Sequence, residues 1–136
     1  MRVYLDSSAL IKRAVDEAES DAVELSLVNF IEEGAGLFSS ALAWIEVSRG
    51  LRSRIDHEDP AMLADLADAA LSGIAECPMS EQVVSLARRI GPPGLRSLDA
   101  IHLATATLID ANVVVAYDER LLAAARELGF RTASPS

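Results

Sequence analysis

The sequence predicts an α/β protein: a three-layer α/β/α fold around a central, mainly parallel sheet of four to five short strands. Three observations predict it. Short apolar runs alternate with longer stretches of helical apolar spacing. Val113-Val114-Val115-Ala116 is apolar at every position and β-branched at three, which suits a parallel strand covered on both faces. Two such runs deliver a carboxylate: Asp6 closes Val3-Tyr4-Leu5, and Asp118 follows Ala116 by two residues. In parallel sheets the carboxyl ends of the strands are where ligands bind.

Taken in order, residues 2–5 form the first strand and residues 9–14 a short helix. A second helix covers residues 20–33 and ends at Gly34-Ala35-Gly36. Leu37-Phe38 is a brief strand, and Ser39-Ser40 can cap a third helix through residue 54. Asp59-Pro60 places a capping carboxylate before a first-turn proline. Behind it Leu63, Leu66, Ala67, Ala70, Leu71 and Ile74 recur at helical spacing.

Glu76-Cys77 is a short strand, and Ser80 caps a helix that runs to residue 90. Gly91-Pro92-Pro93-Gly94 is a loop. Ser97 caps a helix over residues 98–109, whose body is apolar nearly all round and should therefore be buried. After the 113–116 strand, a helix over residues 119–128 stops at Gly129, and Phe130-Arg131-Thr132 makes an edge strand. There are no repeats and no linker, so residues 1–136 read as one domain.

Composition narrows the function. The chain carries 21 acids against 12 bases, a net charge of −9. A passive nucleic-acid binder is normally basic, because it must neutralise phosphates. An acidic chain that acts on phosphates needs metal ions or local arginine patches. The bases are eleven arginines and Lys12, and arginine suits bidentate contact with phosphate. Hydrophobic residues reach 51%, more than a small interior readily holds, so an apolar patch covered by another subunit or a partner is expected.

The lone cysteine, Cys77 beside Pro78, excludes an intrachain disulfide and a cysteine-rich metal site, and reads as packing. The opening apolar run breaks at Asp6, unlike a signal peptide, and no run reaches membrane-spanning length. A cytoplasmic protein with no membrane contact is expected.

Glu46 sits within Ala43-Trp44-Ile45-Glu46-Val47, and Asp99 in the first turn of the most apolar helix. Each acid has a bland explanation. Asp6 and Asp118 can cap the helices that follow them. Asp99 suits a positive helix N-terminus, and Glu46 could face solvent. Four separate caps, however, have no reason to gather at one end of one sheet. Clustered carboxylates raise one another's pKa and stay ionised together only around a cation. All-oxygen ligands favour a hard ion, Mg²⁺ or Mn²⁺. Such an ion binds phosphate oxygens and activates water for in-line attack, alone or as one of a pair about 3.5–4 Å apart.

Other chemistries fit less well. His57 and His102 lack zinc-site spacing. His102 follows Asp99 by one helical step and is expected to be a hydrogen-bonded core or supporting residue. Ser7 and Ser8 have no nucleophile-elbow context. No Walker loop or dinucleotide fingerprint occurs. A receiver domain would need a lysine near the fifth strand, and a dehalogenase-like phosphatase a second acid two residues after the first; both are missing.

These residues resemble a known family. Val3-Tyr4-Leu5-Asp6-Ser7-Ser8-Ala9-Leu10 is similar to the opening of a PIN domain, and Trp44-Ile45-Glu46-Val47 to its acidic helix. Leu98-Asp99-Ala100-Ile101-His102-Leu103-Ala104 strongly resembles the third motif, and Tyr117-Asp118-Glu119-Arg120-Leu121 the fourth. Order, spacing and length resemble the VapC-like ribonuclease toxins of type II toxin–antitoxin modules across nearly the whole chain.

The resemblance implies a PIN-like three-layer fold, Mg²⁺-dependent RNA endonuclease activity with Mn²⁺ as a substitute, a homodimer, and inhibition by a cognate antitoxin. It implies that Asp6, Glu46, Asp99 and Asp118 form the acidic quartet, with Asp6 and Asp99 on the metal. Glu46 and Asp118 would act through water or at a second ion, and Ser7 or Ser8 would support the site by hydrogen bonding. It also points to residues 20–33 and 60–74 as antitoxin contacts.

Ala116 departs from the family, which often has a hydroxyl residue two before the last acid; the departure bears on one supporting contact, not on the carboxylate. Arg49, Arg52 and Arg54 at the end of the Glu46 helix, and Arg96 before Asp99, are candidate RNA-phosphate contacts, or equally charges that complement a helix dipole. The alternative function is a non-catalytic PIN-like module that binds RNA or protein.

Overall fold

Strand β1 (Arg2–Leu5) lies at the centre of the sheet, and its Val3, Tyr4 and Leu5 are wholly buried. The structure is a computed structural model that describes residues 1–55 and 59–136, so His57 lies outside the described residues. β2 (Gly36–Ser40) and β4 (Val113–Val115) pair with the two edges of β1. β3 (Ala75–Cys77) lies outside β2, and β5 (Arg131–Ala133) outside β4. The sheet order is β3-β2-β1-β4-β5, parallel throughout. All carboxyl ends therefore share one edge.

Among the described residues, seven helices accompany the strands: α1 (Ser7–Ile11), α2 (Ser20–Glu32), α3 (Ala41–Arg54), α4 (Pro60–Leu71), α5 (Glu81–Ala87), α6 (Ser97–Leu108) and α7 (Glu119–Glu127). The period-two alternation of the strands divides the core into two halves. Val3, Leu5, Leu37, Val113 and Val115 face one way and pack with buried residues of α1 to α4. Tyr4 and Val114 face the other way and pack with Leu103 and Ala106 of α6 and Leu121, Leu122 and Ala125 of α7. This is the expected three-layer α/β/α arrangement, with five strands.

Several boundaries differ from the sequence expectation. α1 starts at Ser7 rather than residue 9, because the Asp6 carboxylate accepts the Ala9 amide and caps the helix there. β2 extends through Ser39 and Ser40, which pair with Glu76 and Cys77 of β3. α5 stops at Ala87, three residues early, and the chain then turns toward Gly91, whose φ of +76° is a backbone state that suits glycine. Ser97 is not a cap. The N-cap of α6 is Arg96, with extended backbone and no side-chain hydrogen bond to the helix.

α4 turns its apolar stripe inward, with Leu63, Leu66, Ala67 and Leu71 against the core. α2 differs: Leu25, Val28 and Ile31 are 64%, 47% and 56% exposed, one row along its outer side. Among the described residues, no helix is long and apolar enough to cross a membrane.

Candidate active site

The parallel sheet carries β1 and β4 to the same edge, and two acids follow from that directly. Asp6 continues the β1 ladder, its amide donating to the Val115 carbonyl at 3.2 Å. Its side chain is 4% exposed, and Oδ1 accepts from Ser8 Oγ at 2.6 Å and from the Ala9 amide at 3.1 Å. Burial pushes its pKa above the ordinary aspartate value; the neighbouring His102 ring and the bonds from Ser8 and Ala9 work against that rise. Asp118 caps α7 beyond β4, with Oδ1 accepting from the Arg120 amide at 2.9 Å and the Leu121 amide at 3.1 Å.

Two more acids come from helices. Glu46 lies on α3, half-buried, and its Oε1 meets His102 Nε2 at 2.6 Å. Asp99 is in the first turn of α6. Its Oδ2 is the one buried side-chain oxygen or nitrogen among the described residues with no hydrogen-bond partner. Desolvation and the nearby Asp118 carboxylate both raise its pKa. An unpartnered buried carboxylate oxygen beside a second carboxylate is an unfavourable arrangement unless a cation completes it.

All four acids line a single cavity of about 290 Å³, together with Ser7, Ser8, Arg96, Ser97, Leu98 and His102. The cap expectation for Asp6 and Asp118 is therefore correct, and the same two residues also face this cavity. In each, the amides hold Oδ1. Ser8 ties Asp6 into place and also accepts from the Tyr117 amide at 3.0 Å. Ser7 lines the cavity beside it. Arg96 stands at the rim, but Arg49 and Arg52 are exposed on α3 and do not line the cavity.

His102 is 2% exposed and joins Glu46 to Tyr4, whose hydroxyl lies 2.5 Å from Nδ1. Its one-step spacing from Asp99 signalled a supporting residue. Tyr4 carried no signal, since a tyrosine in a strand reads as core.

The donor set fits a hard divalent ion: carboxylate oxygens only, one of them orphaned. Among the described residues no three His, Cys, Asp or Glu side chains stand close enough for a ready-made cage.

The PIN domain model matches residues 3–127. Ribonuclease VapC47 of Mycobacterium tuberculosis is 38% identical over 135 residues, covering 98% of this chain and 96% of its own. Ribonuclease VapC46 of the same species is 39% identical over 136 residues, covering 98% of each chain. Among solved structures, a chain of VapBC2 from Rickettsia felis, bound to a DNA fragment from their promoter, superposes with a TM-score of 0.74 at 11% identity over 100% of both chains.

Proposed function

This chain belongs to the PIN-domain family and is a VapC-like member of it, and on that footing we propose that it is a Mg²⁺-dependent endoribonuclease toxin of a type II toxin–antitoxin system. It hydrolyses RNA phosphodiester bonds and inhibits translation until a cognate antitoxin neutralises it. The observation that carries this is the convergence of Asp6, Glu46, Asp99 and Asp118 on one cavity, with an Asp99 oxygen left unpartnered. The curated relatives, named as ribonucleases, support RNA as the substrate.

Asp6 and Asp99 would hold the ion, and Glu46 and Asp118 would act through water or at a second ion. When bound, the ion supplies Lewis-acid stabilisation of the phosphate and lowers the pKa of water; Mn²⁺ can substitute. The chain's own residues prepare that site. Ser8 and the Ala9 amide fix Asp6 Oδ1, so its other oxygen would be the one offered to an ion. The α7 amides do the same for Asp118. Arg96, at the rim, meets a backbone phosphate, and Arg49 and Arg52 extend that contact along α3.

Two partners follow. The apolar row Leu25, Val28 and Ile31 supports an antitoxin segment lying along α2. A VapBC assembly among the structural neighbours favours such a partner. The toxin itself is a homodimer acting in the cytoplasm.

The test is cleavage of structured RNAs with Mg²⁺ or Mn²⁺ by the wild type, Asp6→Asn and Asp99→Asn. Both variants should lose activity, and equal cleavage by all three overturns the function. The native mass of the chain alone tests the dimer, which a monomer at micromolar concentration excludes.

A further inference from the structure

A chain of hydrogen bonds crosses from the sheet to the acidic cavity. The Ser40 amide donates to Tyr4 Oη at 3.2 Å. Tyr4 Oη lies 2.5 Å from His102 Nδ1, and His102 Nε2 lies 2.6 Å from Glu46 Oε1. Ser40 and Tyr4 are wholly buried, and His102 is 2% exposed. Four elements, β2, β1, α6 and α3, are joined by three contacts.

The direction of the protons follows from the first contact. A backbone amide only donates, so Tyr4 Oη accepts from Ser40. Burial raises the phenol's pKa, so Tyr4 keeps its own proton and must place it on an acceptor. The Ser39 hydroxyl is also nearby, but it is turned to the Leu5 carbonyl at 2.5 Å. His102 Nδ1 is the partner in direct reach. An imidazole that accepts at Nδ1 carries its hydrogen on Nε2, where the acceptor is the Glu46 carboxylate.

We infer that His102 is a positioning residue for Glu46: Tyr4 locks its ring as the Nε2–H tautomer, and that N–H holds Glu46 Oε1 so that the other carboxylate oxygen faces the cavity. A core histidine needs only to be satisfied; this one is oriented from a backbone amide outward, and its last bond ends on a cavity acid. Partners that orient metal-holding groups in this way are commonly worth 10–100-fold in metal affinity. The inference rests on the proposed nuclease site for its purpose but not for its geometry.

The test begins on the metal-free protein at neutral pH. Long-range ¹H–¹⁵N correlation spectra should show a pyridine-type Nδ1 and a pyrrole-type Nε2 for His102. The chain has two histidines, so a His57→Gln variant assigns the signals. Tyr4→Phe should abolish the single tautomer. Mn²⁺ titration should then show His102→Leu binding about 10–100-fold more weakly than wild type. His102→Gln, whose amide can donate from near the Nε2 position, should recover most of the loss. Thermal unfolding of each variant identifies any that fails to fold; the Tyr4→Phe spectrum and the His102→Gln titration then stand alone.

An Nδ1–H or doubly protonated ring in the wild type overturns the inference, as does wild-type Mn²⁺ affinity in a folded His102→Leu. Wild-type protein that binds Mn²⁺ with this dependence but cuts no RNA would overturn the nuclease function instead, leaving the positioning role intact.

Discussion

Ser8 donates its hydroxyl proton to Asp6 Oδ1 at 2.6 Å. Ser8 Oγ itself accepts from the Tyr117 amide at 3.0 Å, so one side chain links the β1–α1 turn to the segment that carries Asp118. Ser8→Ala removes a donor from a buried carboxylate and leaves a partly buried amide unpaired. The expected cost is about 1–3 kcal/mol of stability, with weaker cleavage because Asp6 is less firmly held. Ser7→Ala should stay within about 0.5 kcal/mol. Urea unfolding of the two variants decides the matter: equal losses would mean that Ser8 has no special place.

Asp99 supports a prediction of opposite sign. It and Asp6 both have folded-state pKa values above the ordinary 3.8, so the folded chain binds their protons more readily than the unfolded chain does. Their contribution to stability is fully present below that ordinary value and is lost as pH rises through the raised folded values. Without metal, Asp99→Asn should therefore melt higher than wild type at pH 7, while being inactive. The gap should shrink toward pH 4, where the wild-type carboxyls regain their protons. Adding Mg²⁺ should raise the wild-type Tm and leave the variant nearly unmoved, because ligand binding stabilises only a site that can bind. A variant less stable than wild type at neutral pH without metal would remove the repulsion from the account.

The acids were legible because each breaks an apolar run, where chance seldom puts a charge. The Val113–Val115 strand was legible for a related reason: a strand covered on both faces has no polar side to confuse it with a helix. Asp6 was read as a strand terminus and a cap, and it is both. Ser97 misled because a serine before an apolar helix looks like a cap, although the backbone enters the helix one residue earlier at Arg96. The helix expected to run to residue 90 ends at Ala87, and no glycine or proline between Ala87 and Gly91 marks the earlier stop. What no local pattern could supply was the Tyr4–His102–Glu46 chain. Its contacts span 98 and 56 residues of sequence, and periodicity relates only residues within one element.

The arginines near the cavity bear on how an acidic protein holds RNA. Arg96 lines the cavity and Arg49 is exposed on α3. With the inactive Asp99→Asn background, RNA affinity can be followed against salt without cleavage. Each phosphate contact removed should reduce the steepness of log K against log salt by about 0.7–0.9. Arg96→Gln is expected to show that change, and Arg49→Gln to show it where RNA runs along α3. An unaltered slope for Arg96→Gln would mean that this side chain touches no phosphate and serves the α6 N-terminus alone.

Arg13 concerns the scaffold rather than the chemistry. Its Nη1 donates to the carbonyls of Ala70 and Ser72, each at 2.8 Å, at the C-terminal end of α4. Its Nε donates to Glu24 Oε1 at 3.2 Å, on α2. The side chain is 14% exposed, so these bonds are only partly screened by water. One guanidinium thus fastens the end of α1 to two helices and satisfies carbonyls that a helix end leaves open. Arg13→Ala should cost about 1.5–3 kcal/mol, the range for hydrogen bonds to a charged group. Arg13→Lys should recover only part of it, since a single ammonium cannot reproduce the fork that serves α4 and α2 together. Arg13 does not line the acidic cavity, so RNA cleavage well below the melting temperature should match wild type. A drop in cleavage without a drop in stability would show that the α1–α4 junction transmits to the acids, and would contradict a purely fastening role.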